Sequence, residues 1–224
     1  MRTIIYTVAL CIMSSVASFA QSYGVKIGFN TNNPDIEGVG NVSNSQSAYT
    51  GFTGGVFAEF PMTQQLSFSS GVNYSQKGFG VDQTTFVNVF GIDAPVGVMV
   101  DTKINYVEMP LAIKYRWGNE KAGVYAMAGP KLSYATDASV TAKARLIIDF
   151  NVATYDLNLN DDMYNRFELG GVVGVGGDVA AGAGSFFADL SYNQSFSNIL
   201  HNPIIDLSVK NKGIAVNAGY KMSF

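Results

Sequence analysis

The only histidine in the 224-residue chain, His201, stands near Ser195, Ser197 and Asp206. Serine, histidine and aspartate can compose a hydrolase triad, with the imidazole as base and the carboxylate orienting it. Their spacing matches no such motif, and an ordinary loop histidine is the better reading. Asp156, Asn158, Asn160, Asp161 and Asp162 begin like a calcium loop. The sixth position, however, is Asp161 where glycine is needed, and the twelfth is Phe167 where glutamate is needed. These side chains read as solvated loop carboxylates. The glycines of GGVVGVGG, residues 170–177, lack the G-x-G-x-x-G order, and no helical pattern follows them, which excludes a dinucleotide site. No enzymatic activity, metal or cofactor is expected.

A larger set of reactive side chains recurs at every second position of apolar segments: Lys26, Glu59, Lys77, Glu108, Lys114, Arg116, Lys131, Arg166, Glu168, Asp189 and Lys221. Both signs are present on many segments. An uncompensated buried charge costs several kcal/mol, so a shared interior would require these groups to pair. Gly170, Gly174 and Gly176 would leave room for long side chains opposite.

The elements that carry them alternate with a period of two, the signature of amphipathic strands. The clearest are residues 103–117, with Val107, Met109, Leu111, Ile113, Tyr115 and Trp117 against Glu108, Pro110, Ala112, Lys114 and Arg116. Residues 213–224 set Ile214, Val216, Ala218, Tyr220, Met222 and Phe224 against Ala215, Asn217, Gly219, Lys221 and Ser223. Similar alternation marks residues 23–30, 50–60, 66–80, 123–135, 166–178 and 185–195. The segment 213–224 is close to the length that crosses a bilayer's hydrocarbon as a tilted strand, about 9–11 residues. The connections run long, short, long, short, long, short, long. The short ones are PMTQQ, GNEKA and VAAGAG. This predicts an all-β fold: an eight-stranded antiparallel, up-and-down transmembrane β-barrel with both ends and the short turns on the periplasmic side. Residues 81–102 should extend their hairpin above the membrane, and the alternation at 142–150 should extend the walls. A further spanning pair, making ten strands, is the alternative count.

Aromatic residues then fall into two belts, as interfaces require. Tyr23, Phe60, Phe68, Tyr115, Trp117, Phe186, Tyr220 and Phe224 lie at the inner rim, and Phe29, Phe52, Tyr74, Phe167 and Tyr192 at the outer.

The N-terminus supplies the export route. Arg2, the apolar run from Ile4 to Ile12, and Ser18-Phe19-Ala20 form a signal-peptide pattern with cleavage after Ala20. Residues 1–20 are the leader and 21–224 the barrel domain. Cys11 leaves with the leader, so the exported chain has no disulfide and no lipidated cysteine. Its charge is minus four, from 13 basic and 17 acidic residues once Arg2 is removed, and no basic run suits nucleic acid. The mean hydropathy is positive, yet no apolar stretch beyond the leader is long enough for a helical span. A barrel reconciles the two, because half of its residues face inward.

GVKIGFN, GVFAEFP with YSQKG, YVEMPLAIKYRW, AGP, FADLSYNQSFSNI and KNKGIAVNAGYKMSF resemble, in that order, the PorT-like outer-membrane β-barrel proteins labelled as a porin family. They cover nearly all of the exported chain. The resemblance implies residence in the bacterial outer membrane of a Gram-negative cell and says little about activity. Asp189, Ser191 and Asn193 depart from it, standing where a basic residue is expected near the tyrosine. Val216, Ala218, Tyr220, Met222 and Phe224 resemble the carboxy-terminal signal read by the barrel-assembly machinery. An eight-stranded interior is just wide enough for its own side chains, so no wide solute pore is expected. The functional expectation is a monomeric surface-interaction protein whose partners are outer-membrane lipid and a surface protein or glycan met by the loops. The alternatives are a lipid-modifying hydrolase using His201 and a soluble periplasmic ligand-binding barrel.

Overall fold

The computed structural model describes residues 22–33, 35–37, 46–89, 92–145, 149–157, 165–198 and 208–223. Residues 1–20, where a leader is expected, and His201, Asp206, Asn158, Asn160, Asp161, Asp162 and Phe224 lie outside them. The elements are β1 (Ser22–Asn32), β2 (Asp35–Glu37), β3 (Gln46–Pro61), β4 (Leu66–Val89), β5 (Ile92–Gly118), β6 (Ala122–Arg145), β7 (Asp149–Leu157), β8 (Phe167–Ala181), β9 (Gly184–Ser195), β10 (Ser208–Lys210) and β11 (Lys212–Ser223).

Eight of these strands form a closed antiparallel ring, in the order β5-β4-β3-β1-β11-β9-β8-β6 with β5 paired back to β6. Closure matters because lipid offers no hydrogen bonds to an open sheet edge. The seam lies between the first and last strands, running from Ser22 opposite Ser223 to Asn32 opposite Gly213. That is the antiparallel pairing predicted for the two terminal segments.

Alternation sets the faces as the sequence reading proposes. Val25, Ile27 and Phe29 of β1 and Ile214 and Val216 of β11 point outward and are exposed, whereas Asn30, Asn217 and Lys221 are buried. Among the described residues, buried polar and charged side chains outnumber buried apolar ones. A soluble ligand-binding barrel would have an apolar interior and a polar exterior, so this inversion overturns that alternative.

The wall is uneven in height. β4, β5 and β6 are 24, 27 and 24 residues long, while β1 has 11 and β9 and β11 have 12 each. β4 and β5 pair as far as Val89 opposite Ile92, so the hairpin extends as predicted. β6 pairs with β8 only up to Tyr134 opposite Phe167, and from Ala138 to Arg145 it pairs instead with β7. The alternating stretch near residue 150 therefore raises one side of the wall. It adds no spanning pair, and the strand number is eight.

The short connections are tight. Asn119 Oδ1 accepts the amides of Lys121 and Ala122 at 2.9 and 3.1 Å and closes the β5–β6 turn. The VAAGAG connection is shorter than six residues: β8 continues to Ala181, which pairs with Gly184, leaving only Gly182 and Ala183 in the turn. Gly182 has a φ of 63°, the left-handed value that two-residue hairpin turns require. By the rule for bacterial outer-membrane barrels these short turns face the periplasm and the raised wall faces outward.

Candidate functional site: the barrel interior and the raised sheet

Every second residue of the eight strands points into the cylinder, and the charged ones gather at two levels. At the lower level Lys114 Nζ donates to Glu59 Oε1 at 2.6 Å, and Lys221 Nζ donates to Glu59 Oε2 and Asp178 Oδ2, both at 3.2 Å. Arg116 grips Asp178 through Nε at 3.0 Å and Nη2 at 2.6 Å. At the upper level Lys77 Nζ bridges Glu108 at 2.7 Å and Glu168 at 2.9 Å. Lys131 reaches Glu108 at 3.1 Å and Asn193 Oδ1 at 2.9 Å. Asn211 Nδ2 donates to Glu168 Oε2 at 2.7 Å and to the hydroxyl of buried Tyr106 at 3.3 Å. Most of these groups are almost fully buried, so the multiple partners offset a desolvation cost of several kcal/mol per ion.

Aromatic rings separate the two levels. Phe57 and Phe187 meet edge to face at 5.3 Å, and Lys114 lies 3.6 Å from the centre of the Tyr125 ring. A Cβ on Gly176 would come within 2.5 Å of Tyr125, so this glycine makes room for the ring. Asp189 Oδ1 accepts from Asn217 Nδ2 at 2.7 Å and Oδ2 from the Tyr125 hydroxyl at 3.3 Å. Beside this layer is a cavity of about 90 Å³ that Lys26, Asn73, Asp189 and Ser191 help to line. The Lys26 ammonium lies in the field of Asp189 first and of Glu108 second, without a direct ion pair to either among the described residues.

The interior thus gathers Lys26, Glu59, Lys77, Glu108, Lys114, Arg116, Lys131, Glu168, Asp189 and Lys221, ten of the eleven charges proposed for it. Arg166 is a correction. It precedes β8, and its guanidinium turns to the carbonyls of Ala135 and Thr136, at 3.3 and 3.1 Å, and over the ring of outward-facing Tyr134. Strand parity does not govern a residue just outside the strand, so Arg166 caps the outer rim. Asp178, outside the set expected from the sequence, shares the parity of Glu168 on β8 and joins the interior through Arg116 and Lys221. Among the described residues the interior balance is then six cations against five anions, counting Lys26, Lys77, Lys114, Arg116, Lys131 and Lys221 against Glu59, Glu108, Glu168, Asp178 and Asp189.

Ser195 and Ser197 serve the backbone: Ser195 Oγ donates to the Ser197 carbonyl at 3.1 Å, and Ser197 Oγ accepts the Leu169 amide at 2.7 Å. On the outer face the aromatic residues meet in pairs, Tyr115 with Trp117 and Phe186 with Tyr220 at the lower rim, Phe29 with Phe52 and Tyr134 with Phe167 at the upper. Val216, Ala218, Tyr220 and Met222 share the lipid-side face of β11, and Tyr220 donates to the Ala181 carbonyl at 2.9 Å.

Residues 19–201 match the family model described as the outer membrane protein beta-barrel domain. The chain belongs to that family. As a member of the outer membrane protein beta-barrel family it resides in the bacterial outer membrane, as a small eight-stranded barrel. The match is to the barrel domain as such. No curated protein matches the sequence. Among solved structures, Ail, the attachment invasion locus protein of Yersinia pestis, is similar at 15% identity and a TM-score of 0.40, with 91% of this chain and 99% of that chain covered. Neisserial surface protein A matches at 15% identity and a TM-score of 0.42, with 90% and 97% covered. OprG from Pseudomonas aeruginosa matches at 13% identity and a TM-score of 0.42, with 92% and 96% covered.

Proposed function

We propose that this barrel is a sealed, monomeric scaffold without enzymatic activity that holds a raised sheet at the cell surface for contact with another protein or a glycan. The observation that carries this reading is the uneven wall. Strands of 24 to 27 residues are more than twice the roughly 9–11 residues needed to span the hydrocarbon, and they stand together on one side. β7 forms the edge of that sheet and exposes Val152 and Tyr155 at 68% and 69%. Exposed apolar side chains on an edge above the bilayer suit contact with a partner. The interior supports the sealed half of the reading, since its charges interlock across the lumen from strand to strand.

Photo-crosslinkers at Val152 and Tyr155 in intact cells test the surface role, with lipid-facing Val175 as the control position. Discrete adducts at the first two and none at the third are expected. The same pattern at all three positions would remove the surface role. Planar-bilayer recording tests the seal, and a stable porin-sized conductance would overturn it.

A further inference from the structure

We infer, on the basis of the surface role proposed above, that the free edge of β7 receives an extended polypeptide segment as an added strand, one that alternates apolar with polar or basic residues. On the lumen side of the raised sheet, Ile104, Ala138 and Leu157 form one row across β5, β6 and β7, and Val100, Ala142 and Ala153 another. On the outer side the rows are Lys103, Ser139 and Asp156, and Asp101, Thr141 and Thr154, with the two threonine hydroxyls 3.2 Å apart. Ile104 shares the parity of inward Tyr106 and Glu108 on β5, which fixes the sides. The polarity of the wall is therefore inverted above the membrane, apolar inward and polar outward, as in a sheet with water on one face.

Every row ends at β7, and among the described residues no strand pairs with its far edge. Residues 153–157 pair with β6 without interruption, and every second one turns its N–H and C=O away from β6, about 6.8 Å apart. An extended polypeptide matches that spacing of donors and acceptors, whereas a glycan has no such repeat. Its side chains continue the rows: apolar ones fall beside exposed Tyr155, and polar ones beside exposed Thr154 and Asp156. A lysine or arginine next to Asp156 continues the alternation of sign that begins with Lys103 in the same row. A second copy of the chain fits poorly, since a two-fold axis along the membrane normal brings the β7 edges together in one direction and sets Asp156 beside Asp156.

The probe is a short fluorescent peptide that alternates valine with threonine and lysine, titrated onto the full barrel in zwitterionic nanodiscs, with empty nanodiscs as the blank. Saturable binding by fluorescence anisotropy is expected. None is expected for the same sequence with its amides N-methylated, which keeps the side chains and removes the donors. Asp156→Lys, at an exposed position, should weaken binding about fivefold and favour a peptide with glutamate in place of lysine. A barrel that binds no peptide, or binds the N-methylated one as tightly, overturns strand addition, and so does an Asp156→Lys barrel that still prefers lysine. The crosslinks at Val152 and Tyr155 in cells decide the surface role separately: polypeptide adducts support both inferences, and glycan adducts overturn strand addition while the surface role stands.

Discussion

Glu108→Gln removes the carboxylate that two lysines share while preserving the size of the side chain. Lys77 keeps Glu168 at 2.9 Å, but Lys131 keeps only the neutral Asn193 Oδ1, also at 2.9 Å. The substitution strands one buried ammonium, a situation that costs about 3–5 kcal/mol. Adding Lys131→Met deletes the stranded charge, so the double variant should regain about 2 kcal/mol of the loss, a coupling within the range for contacting residues. Lys143→Met offers a control above the membrane: its 2.7 Å pair with Asp101 is partly solvated and should be worth about 0–1 kcal/mol. Equilibrium urea unfolding in lipid vesicles can be followed through Trp117, the only tryptophan, which faces lipid at the lower rim with 51% exposure. A loss below about 1 kcal/mol for Glu108→Gln, or a double variant no better than the single, would refute the reasoning that interior charges are held by mutual compensation.

Leu111→Arg and Val216→Arg place a guanidinium on the lipid side of β5 and β11 and should each cost ~2–4 kcal/mol in the same assay, whereas Val152→Arg above the membrane should change stability little. Equal losses at all three would contradict the assignment of faces. Gly182→Ala forces a side chain into the left-handed turn region and should cost about 1 kcal/mol, read from the unfolding midpoint. Deleting Phe224 should lower the amount of heat-modifiable, folded barrel in outer-membrane fractions before it alters surface contacts; unchanged folded levels would remove its role as an assembly address. His201→Ala should leave membrane lipid composition unchanged, and any lost acyl-hydrolysis product on thin-layer analysis would restore the enzyme reading.

The faces of the strands were legible because parity persists through each strand. Lys114 and Arg116 follow Glu108 at even intervals on β5, and all three arrive inside. Arg166 shows where that logic stops, since its neighbour Phe167 begins the strand and the arginine itself turns to the rim. The salt-bridge partners were not legible. Lys77 meets Glu168 across 91 positions of sequence, and that meeting depends on the stagger of eight strands, which no single segment encodes. The same stagger sets Lys26 between Gly219 and Gly55 on the flanking strands, with Asp189 the first carboxylate whose field reaches it. The extra height of the wall was partly visible as alternation near residues 142–150. That β6 would exchange β8 for β7 is a matter of pairing geometry and lies beyond periodicity.

The seam joins residues about 200 positions apart, and this has a kinetic side. A partial barrel would present two unpaired backbone edges to lipid, which offers them no partners. The chain consequently has no stable half-cylinder on which to pause, and β11 must be present before β1 has anything to close against. Contacts of such long range are slow to form because loop closure precedes their reward. Ring closure is the committing event of biogenesis, and a shortened chain that lacks either terminal strand should be cleared in the periplasm rather than accumulate as a smaller barrel.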